Sequence, residues 1–327
     1  MKAKTLSRSR AELLLAGVMI ARATSYLFSK LILEGMGVFN LLGGRFLLGF
    51  VLLSALFFPR LKQLNRKTFL AGIMMGGMFF LVMTAELNGL KRTASGTASF
   101  LVNTAIVLVP LLKAVWTRRF PKAKTVLSAL LCFAGVAFLT LAGGVRFGAG
   151  ERWCLIAALL YACTILITDC LSHSGIDTLA AGIVQVGAIG ALSLAASFLF
   201  ETPRLPDGTT EWIGIVMLAV VCTGFGFTLQ PVAQSGTTAE RAGMFCALNP
   251  MVAATLGIFF LGESFAAQSM IGGVLILAGI LLAELPERKV GKKLSQKARC
   301  EPHLSEFRIL QSIALDGFSA GSRGFSY

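Results

Sequence analysis

Histidine is nearly missing from this chain: His173 and His303 are the two in 327 residues. Neither stands at ligand spacing from the seven cysteines (132, 154, 163, 170, 222, 246, 300), which contain no CxxC pair, so no metal and no cofactor are expected. GxSxG, HExxH and the P-loop pattern are also missing. A membrane-embedded enzyme therefore lacks the residue patterns that would announce its chemistry. Charge is scarce as well, at 14% of residues against 55% hydrophobic, with a mean hydropathy of +0.77. A soluble domain carries about 25% charged residues, and its core could not absorb so much apolar sequence. Acids are the scarcest charge, 16 against 30 Lys and Arg, giving a formal net charge of +14.

What is present is long apolar runs. Ten are expected to cross a bilayer, at roughly 13–33, 38–58, 69–90, 97–116, 125–142, 153–171, 179–200, 212–231, 239–262 and 268–285, each near the ~20 residues a hydrocarbon core requires. The basic residues gather on one side of this pattern. Four precede the first run, four lie in 59–68, four in 117–124, one is Arg241 and six fall in 286–300; the opposite loops hold Lys91, Arg92, Arg146, Arg152 and Arg204. That bias places both termini in the cytoplasm, with the protein in the inner membrane, and removes the need for a nucleic-acid partner.

The chain also repeats itself. CFAGVAFLTL (132–141) returns as ILAGILLAEL (276–285), offset by 144, and VLVPLL around Pro110 returns as ALNPMV around Pro250, offset by 140. The first copy is shorter by four residues, one helical turn, near the loop WTRRFPKAK. Five spans per copy is an odd number, so the second copy must be inverted. The expected fold is an all-α integral membrane protein of ten transmembrane helices in two inverted five-helix repeats, an architecture of secondary transporters. The segments are 1–10 cytoplasmic, 11–142 first repeat, 143–286 second repeat, and 287–327 a basic cytoplasmic tail suited to an anionic leaflet, with one apolar patch at Ile309–Leu315.

GLKRTASGTASFLVNTAIVLVPLL (89–112), PVAQSGTTAERAGMFCALNPMVAATLGIFFLGESF (231–265) and IGGVLILAGILL (271–282) resemble the EamA-type branch of the drug/metabolite transporter superfamily, over about residues 11 to 286. The resemblance implies a secondary transporter, often an exporter of amino acids, other metabolites or drugs. Helices one, three, four, six, eight and nine would surround its cavity. The partners are then a small-molecule substrate and the lipid bilayer, with a coupling proton and a homodimer left open. A membrane enzyme and a non-transporting scaffold or sensor stand as alternatives. In the first span Arg22 and Ala23 occupy the place where this family commonly has Trp-Gly, with Lys30 further on; Arg118 and Arg119 stand near where the second copy has Gly262 and Glu263.

Arg22 poses the sharpest question. Basic residues ahead of Leu13 and the small residues at Ala21 and Ala23 also fit a cleavable signal peptide, but cutting there would destroy the first span. Counted from Leu13, Arg22 lies roughly 13 Å into the bilayer, where a charge costs about 2.5 to 3.5 kcal/mol unless it faces a wet cavity or a partner. It is expected either to bond structurally or to face substrate, in company with Tyr161, Asn249 and Asn103. Glu86 and Lys30 both reach roughly 25 Å, which suggests a charge pair or a proton-coupling site. Arg45 is expected to bond helix ends or to meet Glu86, and Glu263 to find a backbone or cationic partner. Pro110 and Pro250, with Gly224 and Gly226, are expected to bend their helices. Gly72 and Gly76 form a small face for close packing, and Thr237 with Glu240 fits a capping box.

Overall fold

The computed structural model describes residues 8–116, 118, 123–141, 148–172, 176–226, 248–263 and 267–285. These form α1 (Arg8–Leu33), α2 (Val38–Leu56), the single turn α3 (Phe58–Leu61), α4 (Arg66–Leu90), α5 (Ser95–Asn103), α6 (Ala105–Trp116), α7 (Ala123–Leu141), α8 (Ala149–Ser172), α9 (Thr178–Phe200), α10 (Gly208–Met217), a π-helical stretch Leu218–Phe225, α11 (Leu248–Leu261) and α12 (Ala267–Glu284). Seven of the described stretches are long and apolar enough to span a membrane: α1, α2, α4, α5 with α6, α8, α9, and α10 with its π-helical continuation. Ala123–Phe138, Leu248–Leu261 and Ala267–Ala283 are shorter apolar helices. The expected beginning of the ninth span, its Thr237–Glu240 capping box and the tail with its Ile309–Leu315 patch lie outside the described residues.

Large apolar side chains face outward, among them Phe259 (79% exposed), Leu199 (76%) and Phe200 (74%). Hydrocarbon is the solvent that suits such a surface. With apolar groups on both faces, burial alone cannot decide which helices meet, so small residues do. A Cβ at Gly72 would come within 2.8 Å of Ala181 O, and one at Gly76 within 2.9 Å of Gln185 O, so α4 and α9 touch backbone to backbone. On its other side α9 lays Gly190 against Leu47 N of α2, where a Cβ would stand at 2.9 Å.

The α7–α12 contact is reciprocal. A Cβ at Gly135 would meet Gly272 O at 2.6 Å and Ile276 N at 2.8 Å; one at Gly279 would meet Ser128 O at 2.8 Å and Cys132 N at 3.1 Å. Adding 144 to Ser128, Cys132 and Gly135 gives Gly272, Ile276 and Gly279. The Cys132 thiol also donates to Ile276 O at 3.6 Å.

Helix ends leave backbone groups unpaired, and here side chains from distant helices satisfy several of them. Glu201, just past α9, accepts from Phe39 N (3.1 Å) and Asn40 N (3.0 Å) at the start of α2. Lys124 at the start of α7 donates to Ala283 O (3.0 Å) and to Leu285 O at the end of α12. The helices that carry Pro110 and Pro250 both finish on a left-handed residue, Arg118 (φ 47°) and Gly262 (φ 63°). Their numbers again differ by 144. The missing turn of the first copy is thus already missing between Pro110 and Arg118, inside the helix and its cap rather than in the loop beyond.

Gly135→Ala should lower stability by about 1–3 kcal/mol, because its methyl would press on the backbone of Gly272 and Ile276 as well as on the Ile276 side chain. Gly77→Ala, which meets nothing within 4 Å, should be neutral or stabilising by up to about 1 kcal/mol. Thermal unfolding in detergent compares them, and a Gly135→Ala protein melting with or above its parent would reject this packing.

Candidate functional site

Arg22, Ser25, Tyr26 and Ser29 follow at i, i+3, i+4 and i+7 and share one face of α1. That face lines a cavity of about 50 Å³, together with Arg45 of α2, Phe79, Met83 and Glu86 of α4, Asn103 of α5 and Asn249 of α11. The space holds a few waters. A metabolite requires the helices to part.

Its charges come from three helices. The Glu86 carboxylate meets the Tyr26 hydroxyl and lies in the fields of Arg22 and Arg45. Among the described residues of the lining, two guanidinium groups stand against one carboxylate, a difference of one positive charge. Arg45 is buried, donates from Nε to Thr223 Oγ1 at 3.0 Å and lies 5.0 Å over the Phe46 ring. A guanidinium so held keeps its charge aimed without water to solvate it.

Thr223 belongs to the π-helical stretch, where the wider turn changes which side chains reach α1 and α2. Cys222 Sγ donates to Ala21 O at 3.2 Å, beside the bond from Thr24 Oγ1 to the same carbonyl at 2.7 Å. A Cβ on Gly226 would stand 3.1 Å from Arg22 Cγ, so this glycine gives the arginine stem its place. Gly224 lies within the π-helical turns, and Gly226 follows them directly.

Of the residues singled out in the sequence, Arg22, Glu86, Asn103 and Asn249 meet at this one cavity. Asn103 turns its amide back to Ser99 O at 2.7 Å, where the helix breaks at Thr104 between α5 and α6. Tyr161 stands behind the wall, edge-on to Phe79 at 5.8 Å between ring centroids. Pro110 lies inside α6, and Pro250 is buried in the first turn of the described part of α11.

Lys30 does not pair with Glu86. Its ammonium donates to Leu90 O at 2.7 Å and Thr93 O at 2.5 Å, at the C-terminal end of α4. Counting heights made the two charges level, but the lysine stem extends outward to carbonyls that carry the negative end of the helix dipole. Tyr26, one turn earlier on α1, meets Glu86 instead. Ser25, Tyr26 and Ser29 were not singled out in the sequence; the signal that could have found them is their spacing of three, four and seven residues from Arg22. Arg45 carried only the signal of a charge within an apolar run, and nothing local tied it to Thr223, 178 residues on.

The EamA-like transporter family model matches residues 9–141 and again 148–285. An uncharacterized transporter of Archaeoglobus fulgidus is 26% identical over 283 residues, covering 84% of this chain and 97% of the relative. An uncharacterized transporter of Bacillus subtilis is 26% identical over 298 residues, covering 84% and 87%. A protein of Streptantibioticus cattleyicolor, named as a probable terminal-alkyne amino-acid exporter, is 24% identical over 214 residues, covering 63% and 68%. Among the solved structures that match, a crystal structure aligns with a TM-score of 0.61 at 21% identity, over 85% of this chain and 97% of that one, a likeness of fold alone. Matched twice by one family model across most of its length, this multi-pass membrane protein belongs to the EamA-like transporters of the drug/metabolite transporter superfamily.

Proposed function

We propose that this protein is a secondary transporter that exports a small metabolite bearing a carboxylate or a similar anion across the inner membrane. The surplus of positive charge among the described residues of the cavity carries this reading. Arg22 can hold a carboxylate by two parallel hydrogen bonds, and binding one anion would balance the lining against Glu86. An ionisable residue within a span is otherwise too costly to keep without a use.

Ten helices in two inverted halves, with both termini cytoplasmic, accompany this proposal. The reciprocal α7–α12 contact supports it, since inversion about an axis in the membrane plane exchanges the two sides of that pair. Helix pairing elsewhere agrees: α4 on α9 corresponds to the π-helical stretch on α2, and α1 on α11 to α8 on α6. The amino-acid exporter among the relatives is consistent with a carboxylate ligand.

Arg22→Ala should reduce flux of the carboxylate substrate by about 10- to 100-fold, the value of a charge-assisted hydrogen bond, with unfolding unchanged. Arg22→Lys should recover part of it. Proteoliposome transport supplies the measurement, and flux equal to the parent's in Arg22→Ala would reject the role. Glu86 is proposed as the proton-coupling site. Glu86→Gln should lose acceleration by an imposed pH gradient yet retain exchange of labelled for unlabelled substrate. An undiminished response to the gradient would make Glu86 a fixed counter-charge instead.

A further inference from the structure

The end of the bundle where α1 finishes is closed by the turn between α4 and α5. Leu90, the last residue of α4, lines the cavity, and Lys91–Ala94 follow it directly. Three side chains hold this turn. Lys30 of α1 bonds its carbonyls at Leu90 and Thr93. Glu151 of α8 accepts from Thr93 Oγ1 at 3.0 Å. Glu263, beyond α11, accepts from Ser95 N at 2.8 and 2.9 Å with its two oxygens and from Ser95 Oγ at 2.9 Å.

Glu263 is delivered there by backbone geometry. Gly262 takes a left-handed conformation that reverses the chain, and Glu263 N then donates to Gly257 O at 3.1 Å. The carboxylate folds back over Gly257, where any Cβ would overlap it. It reaches the first turn of α5, a helix whose N-cap residue, Ala94, has no side chain able to cap it. A carboxylate at a helix N-terminus is favoured both by the unpaired amides and by the dipole.

The first copy has a different residue at this position. Offset by 144, Gly262-Glu263 corresponds to Arg118-Arg119, and offset by 140, Ser95-Gly96-Thr97 corresponds to Ser235-Gly236-Thr237. The equivalent tie at the opposite end would bring an arginine to a helix N-terminus, which the dipole disfavours.

We propose that Glu263 is a one-sided latch: by capping α5 it keeps the cavity closed on the outer side, and it must release Ser95 before the cavity opens outward. The inference rests on the transporter reading for its orientation, with chain termini inside. It makes Glu263 a positioning residue for the transport cycle, acting through α5 and its cavity residue Asn103. On this proposal the opposite end, where Arg119 holds the sequence position matching Glu263, opens more readily and the resting protein receives substrate from within.

The test reads access rather than transport. Ser29→Cys places a thiol in the cavity wall, and its labelling by a membrane-impermeant thiol reagent is followed in right-side-out vesicles, with the protein lacking this thiol as background. In the Ser29→Cys protein, Glu263→Ala should raise the labelling rate at least about tenfold, the factor that follows from losing one or more charge-assisted hydrogen bonds. Glu263→Asp should stay within about threefold of the parent. Ser95→Pro supplies a second variant that keeps the helix: proline is favoured at the first helical position, and Ala94 already has the extended backbone (φ −66°, ψ 146°) that precedes it. It removes both Ser95 donors and should match Glu263→Ala. Unchanged labelling in folded Glu263→Ala and Ser95→Pro overturns the latch, as does acceleration seen only in inverted vesicles. Faster labelling in variants of a protein that moves no substrate would keep the latch and reject the transport reading.

Discussion

Hydrocarbon offers no hydrogen bonds, and every charge in this bundle is placed under that constraint. Glu86 and Arg45 each lie within a span where an isolated ion would be driven out or neutralised. They persist because each has a specific neighbour: Tyr26 for the carboxylate, Thr223 and the Phe46 ring for the guanidinium. Attraction between unlike charges is strong where water is scarce, but two cations and one anion cannot balance each other. That mismatch, counted over the described residues of the wall, is the feature from which an anionic ligand is proposed.

The same constraint governs helix ends. Near the surface of a membrane, water reaches terminal amides and carbonyls only in part, and several are bonded by side chains that arrive from far along the chain. Glu201 joins residues 162 apart in sequence, Glu263 residues 168 apart, and Lys30 residues 60 and 63 apart. Such bonds differ from the apolar helix contacts in one respect. Glycine-to-backbone packing resists displacement in every direction, whereas a cap can be broken by a small rotation and remade by water. Fixed contacts therefore bind α4 to α9 and α7 to α12, while reversible ones gather at the ends, where a transport pathway has to open.

Much of this frame was legible because it is periodic. Apolar runs mark helices, and the offsets of 140 and 144 mark the duplication. The small positions Gly72 and Gly76 announced close packing, and α9 meets them. Arg22, Glu86, Asn103 and Asn249 stood out as polar residues without apolar purpose, and they share one cavity. Pairing was harder to read. Height along a span is set by counting residues, but partner choice depends on side-chain reach, and a lysine four residues past Tyr26 extends to helix-end carbonyls rather than to the carboxylate a turn below. The π-helical stretch was signalled only by glycines. Its register decides that Thr223 meets Arg45, and no local spacing encodes a contact between residues so distant.

The two segments matched by the family model have not diverged evenly. Among the described residues of the cavity the three charged ones, Arg22, Arg45 and Glu86, come from the first; the second contributes the neutral groups Asn249 and, behind the wall, Thr223. At the helix ends the pattern reverses, since Glu151, Glu201 and Glu263 all belong to the second segment and cap or hold elements of the first. The division is not complete: Asn65 caps α4 from within the first segment, and Lys30 of the first joins Glu151 and Glu263 of the second around the turn between α4 and α5. A shift between the two segments would therefore disturb the lining beside Asn249 and the bonds at the helix ends together, because both places join residues of one segment to residues of the other.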